Sequence, residues 1–254
     1  MEKRQQRVQM ARPPKRTRRQ HPHESSVRSV GLTLANPALR RRSHATATPR
    51  VVGTRQHVDV PPEFVTHYYR QSRRPFLNVS DLPDDDALRV MDELMSERRD
   101  GKQHRLFGRK YLVMRRITEA RLHRAFLEAG GHPQRTAPHY FVLGESEWFR
   151  GLAADMDAIR LGLPDLPPDQ TSVTYGDSFA AMEVAQEFGY SETGERHAYH
   201  GRVFLLADLP RVLSNYGLPA AGPDDDYAGY ERRSMDKYIE VQLWSDGPIG
   251  HYLP

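Results

Sequence analysis

The chain has 254 residues, a net charge of +4 and no cysteine, which excludes disulfides, thiolate catalysis and Cys-ligated metal centres. It contains no apolar run long enough to span a bilayer and no signal-peptide core, so we expect a soluble cytoplasmic protein without a membrane segment.

The net positive charge comes from the first 58 residues. Fourteen of the 37 Lys and Arg residues lie there against Glu2 and Glu24 alone, so this segment carries +12 and residues 59–254 carry −8. An acidic body repels phosphates. We therefore expect the body not to bind nucleic acid, whereas residues 1–59 offer at most non-specific binding.

Residues 1–59 lack Phe, Tyr, Trp and Ile, so they have too little apolar surface to offset the entropy of folding. We expect a disordered basic tail, followed by a single domain at residues 60–254. Arg greatly outnumbers Lys in the chain, which is typical of a high-GC bacterial genome. The tail is then interpreted as upstream DNA translated from a misassigned start, with the native start near Val60. A nucleic-acid-binding arm and a targeting peptide are the alternatives.

The first part of the predicted domain consists of an extended segment and two helices. Residues 60–79 predict an aromatic leader that crosses the domain surface, because prolines oppose a helix there. A helix is predicted from about Pro83 to Arg99, with acidic residues near its start and arginines near its end. A second helix is predicted from about Arg109 to Ala129, where Gly130 and Gly131 end it.

The second helix divides into an apolar face and a basic face. Tyr111, Met114, Leu122 and Phe126 recur at helical spacing and predict the buried side. We expect the arginines on the solvated outer side. These are Arg115, Arg116, Arg121 and Arg124.

Strands and capped helices alternate in the rest of the domain. Gly144-Glu145-Ser146 predicts a turn into a short helix, and Asp177 or Ser178 predicts the cap of a longer helix that ends at Phe188. The remaining predicted elements are strands at Pro138–Leu143, Ala158–Leu163, Gln170–Tyr175, Gly201–Leu206 and Lys237–Trp244, and a helix at Pro210–Tyr216. Together these patterns predict an α+β fold, a single domain with two N-terminal helices packed on a mixed or antiparallel sheet of about five strands.

The last strand is unusual because polar residues share one of its faces with aromatic ones. Its alternation sends Ile239, Val241 and Leu243 to one side. The other side receives Tyr238, Glu240, Gln242 and Trp244. A Glu and a Gln between aromatic residues are not typical of a solvated strand face, and we interpret this face as the wall of a cleft.

No catalytic or cofactor motif is present. The chain lacks a Walker loop, a dinucleotide glycine fingerprint, a nucleophile elbow and a His-Glu-x-x-His helix. His197 and His200 with Glu195 are the best set of metal ligands, but they lie in a polar loop without fixed geometry. We therefore predict no metal site.

Three residues on successive strands suggest a function. His139 opens the first central strand, Tyr175 ends the third, and Glu240 lies in the last. This order resembles the ADP-ribosyltransferase fold, and the resemblance implies that His139 and Tyr175 hold NAD as a substrate while Glu240 polarises its ribose. Gln242, beside Glu240, joins the predicted cofactor-binding set. The chemistry is consistent, since nicotinamide stacks on aromatic rings and a carboxylate favours an oxocarbenium-like transition state.

The same residues allow a simpler interpretation, in which His139 and Tyr175 are core or capping residues and Glu240 pairs with an arginine. Two functions therefore remain open. One is an NAD- or nucleotide-using transferase or glycohydrolase, which requires His139, Tyr175 and Glu240 to converge on one pocket. The other is a non-catalytic protein-interaction module whose acidic surface is rich in tyrosine and suits a basic partner. Its loop tyrosines are Tyr199, Tyr227 and Tyr230.

Overall fold

The computed structural model describes residues 60–190, 196–219, 227 and 237–253, which fall within one compact unit. The strands are β1 (Phe64–Arg70), β2 (His139–Leu143), β3 (Met156–Gly162), β4 (Thr171–Tyr175), β5 (Phe204–Leu205) and β6 (Ile239–Leu243). The helices are α1 (Asp84–Arg99), α2 (Arg109–Glu128), α3 (Glu147–Arg150), α4 (Ser178–Ala181), α5 (Val184–Glu187) and α6 (Leu209–Tyr216). Short 3₁₀ turns lie between several of them.

The fold class is α+β, as the sequence predicts, and every strand pair in the described sheet is antiparallel. Its strand order is β3-β1-β2-β6-β4-β5, which is one strand more than predicted. The prediction of a surface leader was wrong, because residues 60–79 contain β1, which lies inside the sheet between β2 and β3. The prolines of this segment fall outside the strand, so they do not remove a hydrogen bond from its pairing. The two long helices consequently follow a strand and are not the first elements of the fold.

The sheet separates two apolar clusters, because alternate residues of each strand point to opposite faces. One face packs against α6 and the C-terminal turn, and the members of its cluster include Phe141, Ile239, Leu243 and Ile249. The other face packs against α2, α4 and α5, and its members include Phe126, Met182 and Trp244. The sheet is therefore the middle layer between two sets of helices.

The two long helices are held together by a smaller cluster. Ala87 and Met91 of α1 and Leu112 of α2 are buried against each other. The acidic first turn and the basic last turn of α1 lie where the sequence predicts, each at the end of the helix whose dipole it complements. These contacts fix α1 and α2 as one unit above the sheet.

The predicted helix that ends at Phe188 is interrupted. Glu183 has a left-handed backbone conformation with φ of 60°, so α4 ends and α5 begins around it. Arg121 of α2 donates a hydrogen bond to the Met182 carbonyl at 2.9 Å, and Arg196 pairs with the Glu183 carboxylate at 2.8 Å. These contacts stabilise the break, which no local pattern in the sequence predicts.

Gly131 follows α2 at a point where the Phe126 ring lies against the backbone. A Cβ atom at residue 131 would lie 2.2 Å from Cε2 of Phe126. Phe126 is fully buried and stacks on Trp244 with a centroid distance of 5.8 Å, so the ring has little room to move. We expect Gly131→Ala to lower the free energy of unfolding by about 2 kcal/mol, measured by urea denaturation. Gly250→Ala is the matched control, because a Cβ there meets nothing within 4 Å. Equal losses in the two variants would contradict the steric explanation.

Candidate active site

A cavity of about 470 Å³ lies between the sheet and the two long helices. Its walls come from β1, β2, β6, α1, α2 and the segments that precede the helices. The aromatic side chains of the wall include Tyr68, Phe107, Tyr111, Tyr140, Phe149 and Tyr238. The charged ones are Arg70, Arg73, Arg74, Arg105, Arg115, Asp177 and Glu240. A concave, largely apolar space of this size with a few convergent polar groups is the usual form of a small-molecule site.

The alternation of β6 is confirmed and explains how the strand reaches the cavity. Ile239, Val241 and Leu243 lie in the apolar cluster on the α6 side of the sheet. Tyr238 and Glu240 line the cavity on the other side. The predicted cleft is therefore present, and Tyr238 and Glu240 form part of its wall.

Glu240 is a buried carboxyl group in the cavity wall. It lies between Val142 of β2 and Thr174 of β4 in the register of the sheet, and it is only 5% exposed. Burial raises the pKa of Glu240 to about 7, and the nearby Asp177 adds to the rise, whereas Arg115 opposes it. Both protonation states are therefore populated near neutral pH, which is the condition for general acid–base catalysis.

A chain of buried hydrogen bonds orients Glu240. The Trp244 indole Nε1 donates to Ser172 Oγ at 2.8 Å, and Ser172 Oγ donates to Gln242 Oε1 at 2.7 Å. Because Gln242 Oε1 accepts, its Nε2 must be the donor to Thr174 Oγ1 at 2.9 Å and to Glu240 Oε1 at 3.1 Å. The carboxyl group is thus held by a satisfied polar network, which fixes the geometry of a buried site.

Arg115 is the buried cation beside Glu240. Its guanidinium group lies between the rings of Tyr140 and Phe179, at 4.5 and 4.3 Å from their centroids. Its Nη2 donates to Tyr111 Oη at 3.0 Å, whereas its Nη1 is buried with no hydrogen-bond partner in the part of the chain that the structure describes. Burial disfavours the charge, but the neighbouring phenols and carboxyl groups hold the pKa of Arg115 above its ordinary value. The predicted solvated position for this arginine was wrong.

Two further acidic groups support the wall. Tyr140 Oη donates to Glu119 Oε1 at 3.1 Å, and burial raises the pKa of Glu119 although Arg115 opposes the rise. Tyr238 Oη donates to Asp177 Oδ2 at 2.8 Å. Asp177 also caps α4, as the sequence predicts, through the Phe179 amide at 2.7 Å.

The structure brings only two of the four predicted site residues to the cavity. Glu240 and His139 both line it, but they belong to opposite faces of the sheet. His139 lies on the Phe141 face, where its Nε2 contacts Asp246 Oδ1 at 2.8 Å. Burial lowers the pKa of His139, an effect that Asp246 opposes.

Tyr175 and Gln242 do not line the cavity. Tyr175 is buried on the α6 side, and its hydroxyl donates to the Tyr216 carbonyl at 3.0 Å. Gln242 is fully buried within the hydrogen-bond chain described above, so it orients Glu240 and does not face the cavity. His139, Tyr175 and Glu240 therefore do not converge on one pocket, and the NAD-binding set remains a prediction based on residue order.

The tyrosines proposed for an interaction surface are not generally exposed. Tyr199 is buried and packs on Tyr175 with a centroid distance of 4.6 Å, so its predicted loop exposure was wrong. Tyr227 donates to the Trp148 carbonyl at 2.9 Å. Tyr230 lies outside the described residues.

Only part of the possible set of metal ligands in the loop at residues 195–200 lies among the described residues. Glu195 lies outside the described residues, while His197 and His200 stack edge to face at 5.4 Å. Across the described ranges, no group of three or more His, Asp or Glu side chains is placed to hold a metal ion. In the same residues, no helix has the length and apolar character needed to cross a bilayer.

No protein-family model, curated protein or solved structure matched the chain.

Proposed function

We propose that this protein binds a nucleotide-class small molecule in the cavity and that Glu240 assists cleavage of its glycosidic C–N bond, as in a transferase or glycohydrolase. The observation that carries the proposal is the buried carboxyl group of Glu240, which accepts a hydrogen bond from Gln242 at the wall of a ligand-sized cavity and whose pKa is raised by its burial. Perturbed ionisable groups in such cavities are a general sign of a catalytic site.

The two protonation states of Glu240 suit the two demands of C–N cleavage. Where the ligand is a purine nucleotide, the protonated form donates its proton to the leaving base as the bond breaks, whereas nicotinamide leaves NAD as a neutral molecule and needs no proton. The ionised form stabilises the positive charge that develops on the sugar and accepts a proton from the attacking water or acceptor. Tyr68, Tyr140 and Tyr238 supply aromatic surface on which a base can pack.

The proposal is tested on the full chain with a panel of NAD, ATP, AMP and adenosine. A ligand at 100 times its dissociation constant stabilises the protein by about 2.7 kcal/mol, which corresponds to a rise in melting temperature of several degrees for a domain of this size. Free base or nicotinamide released during incubation is measured by chromatography. We expect Glu240→Gln to keep the thermal shift and to lower the release rate about 100-fold or more.

Glu128→Gln is the control, because Glu128 is exposed at the end of α2, far along the helix from Arg115. A flat thermal response to every nucleotide would overturn the proposal. Release at the wild-type rate in Glu240→Gln would exclude Glu240 from the chemistry even if the ligand binds.

The interaction module stays the alternative prediction, although the burial of Tyr199 removes part of the surface on which it was based. A cytoplasmic location and a bacterial origin stay predictions from the cysteine-free, Arg-rich composition.

A further inference from the structure

The cavity wall contains two carboxyl groups, Glu240 and Asp177, and their electrostatic surroundings differ. Glu240 interacts with the charge of Arg115, which opposes its own. Asp177 is half-buried, and no Lys, Arg or His side chain of the described residues lies within ion-pair distance of its carboxylate. The wall therefore carries one negative charge that the described part of the chain does not pair with a cation.

Two neutral donors hold Asp177 in place. Its Oδ1 accepts the Phe179 amide at 2.7 Å, which caps α4, and its Oδ2 accepts the Tyr238 hydroxyl at 2.8 Å. Asn and Ser cap helices as well as Asp does, and α4 has only four residues, so its dipole contributes little. The cap therefore accounts for an oxygen at this position, but it does not require a carboxylate.

The backbone places Asp177 on the same wall as Glu240. The Gly176 amide donates to the Tyr238 carbonyl at 3.1 Å, which ties the turn after β4 to the residue before β6. Tyr238 and Glu240 both line the cavity, and two residues of extended chain separate their Cα atoms by about 7 Å. Because the Tyr238 hydroxyl holds Asp177, the two carboxyl groups lie close enough to face one ligand.

Cleavage of a glycosidic C–N bond requires both a proton for the base and a counter-charge for the sugar. As the bond breaks, its electron pair leaves with the base, and in a purine nucleotide the proton of Glu240 moves to that base. The sugar becomes cationic at the same moment, while Glu240 still shares its proton and has not gained a full negative charge. A fixed carboxylate beside the sugar stabilises this cation without reorganisation.

We propose that Asp177 is a second catalytic carboxylate, which stabilises the cationic sugar while Glu240 supplies the proton. The inference rests on the proposed function and adds to it the residue that faces the sugar. Water or an acceptor hydroxyl then attacks the anomeric carbon and gives its proton to Glu240, which restores the starting state. Asp177 forms no covalent bond and exchanges no proton in this sequence.

The first test measures binding and needs no turnover. Isothermal titration calorimetry on the full chain compares imino-D-ribitol, whose five-membered ring carries a secondary ammonium group, with anhydro-D-ribitol, whose ring carries a neutral oxygen instead. The cation resembles the charged sugar of the transition state, and such analogues bind more tightly than ground-state ligands. We expect the cation to bind about 10- to 100-fold more tightly than the neutral sugar. Asp177→Asn is expected to remove most of that ratio and to leave the affinity of the neutral sugar unchanged.

The second test measures base release on the nucleotide panel described above. Asp177→Asn is nearly isosteric and keeps an oxygen for the cap of α4, so it is expected to keep the thermal shift and to lower the release rate about 100-fold. Asp177→Ser, which also caps a helix, replaces it if the first variant fails to fold. Asp85→Asn is the matched control, because Asp85 is an exposed aspartate in the first turn of α1 and should keep both the ratio and the rate.

The outcomes separate this inference from the function on which it rests. If a nucleotide binds and loses its base but Asp177→Asn releases it at the wild-type rate, the cavity site stands and Asp177 is excluded from the chemistry. Equal binding of the two sugars by the wild-type protein also overturns the inference, as does a preference that Asp177→Asn retains. If both sugars bind too weakly to compare, the release rate decides. If no nucleotide binds, both the inference and the proposed function fail.

Discussion

Replacing Glu240 with Gln is expected to raise the free energy of unfolding by about 3 kcal/mol at pH 8 and to leave it nearly unchanged at pH 4. The pKa of Glu240 is raised from 4.5 to about 7, chiefly by burial. Below pH 4.5 the carboxyl group is neutral in both the folded and the unfolded chain, so it carries no penalty. As the pH rises to 7, Glu240 ionises in the unfolded chain before it ionises in the folded one. The free energy of unfolding therefore falls, by about 3 kcal/mol once the pH exceeds 7.

Urea denaturation of wild-type protein and variant at half-unit steps from pH 4 to pH 8 measures this difference. Glu128→Gln is the control, because an exposed carboxyl group should give the same small difference at every pH. A Glu240→Gln variant that is less stable than wild type at pH 8 would show that the ionised group contributes more through Arg115 than burial costs.

The regular elements were predictable wherever a periodic apolar pattern decided them. The bounds of α1 agree with the sequence because an acidic first turn and a basic last turn mark its ends, and those of α2 agree because Gly108 precedes the helix and Gly130 follows it. The faces of β6 were predictable because strand alternation separates its apolar residues from its polar ones, although both faces are buried. The place of β1 was not, since its pairing with β2 and β3 depends on residues more than 70 positions away.

The candidate site was only partly predictable, and Arg115 shows why. It follows Tyr111 by one helical turn and precedes Glu119 by another, so a helical wheel puts all three close to the buried stripe of α2. A charged residue is ordinarily assigned to solvent, and the aromatic rings that enclose this one come from β2 and from α4. The groups that compensate for burying the Arg115 charge therefore come from other elements of the tertiary structure.

Tyr175 was wrongly placed at the site for a different reason. It was chosen for its residue type and its order in the chain, without regard to the sheet face on which its side chain lies. Its neighbour Thr174 lies opposite Glu240 in the sheet, so Tyr175 must face the other side. Strand alternation applied to β4 and β6 together identifies this once their pairing is known. The pairing itself cannot be read from either strand alone.

His67 is expected to make the fold sensitive to acid. Its Nδ1 donates to the Tyr140 carbonyl at 2.9 Å, and its Nε2 accepts the Phe76 amide at 3.0 Å, so both nitrogens are used by the neutral ring. Phe76 has a left-handed φ of 59°, and its ring stacks on His67 at 4.1 Å. Protonation of Nε2 would replace the acceptor with a donor facing the Phe76 amide, which breaks this contact.

The pKa of His67 is lowered from 6.5 to about 4, chiefly by burial, with a smaller contribution from His139 and an opposing one from the Tyr140 carbonyl. As the pH falls from 6.5 to 4, the unfolded chain takes up a proton that the folded chain refuses. His67 alone should then lower the free energy of unfolding by about 2 to 3 kcal/mol, a contribution that Glu240 offsets in the wild-type protein; the lower value allows for the part of the ring that solvent reaches. We expect His67→Gln to remove this loss, measured by urea denaturation over the same range, whereas the exposed His132→Gln should retain it.

Glu240 and His67 change the free energy of unfolding over the same pH range but in opposite directions. Between pH 4.5 and 6.5, falling pH relieves the burial of Glu240 and penalises the burial of His67, so their effects on wild-type stability largely cancel. In Glu240→Gln, the free energy of unfolding should therefore fall by about 1.4 kcal/mol for each unit by which the pH is lowered. In His67→Gln it should change in the opposite direction. The double variant should lack both slopes. If the two single variants change the pH dependence of the free energy of unfolding in the same direction, the direction of the pKa shift assigned to Glu240 or to His67 is wrong.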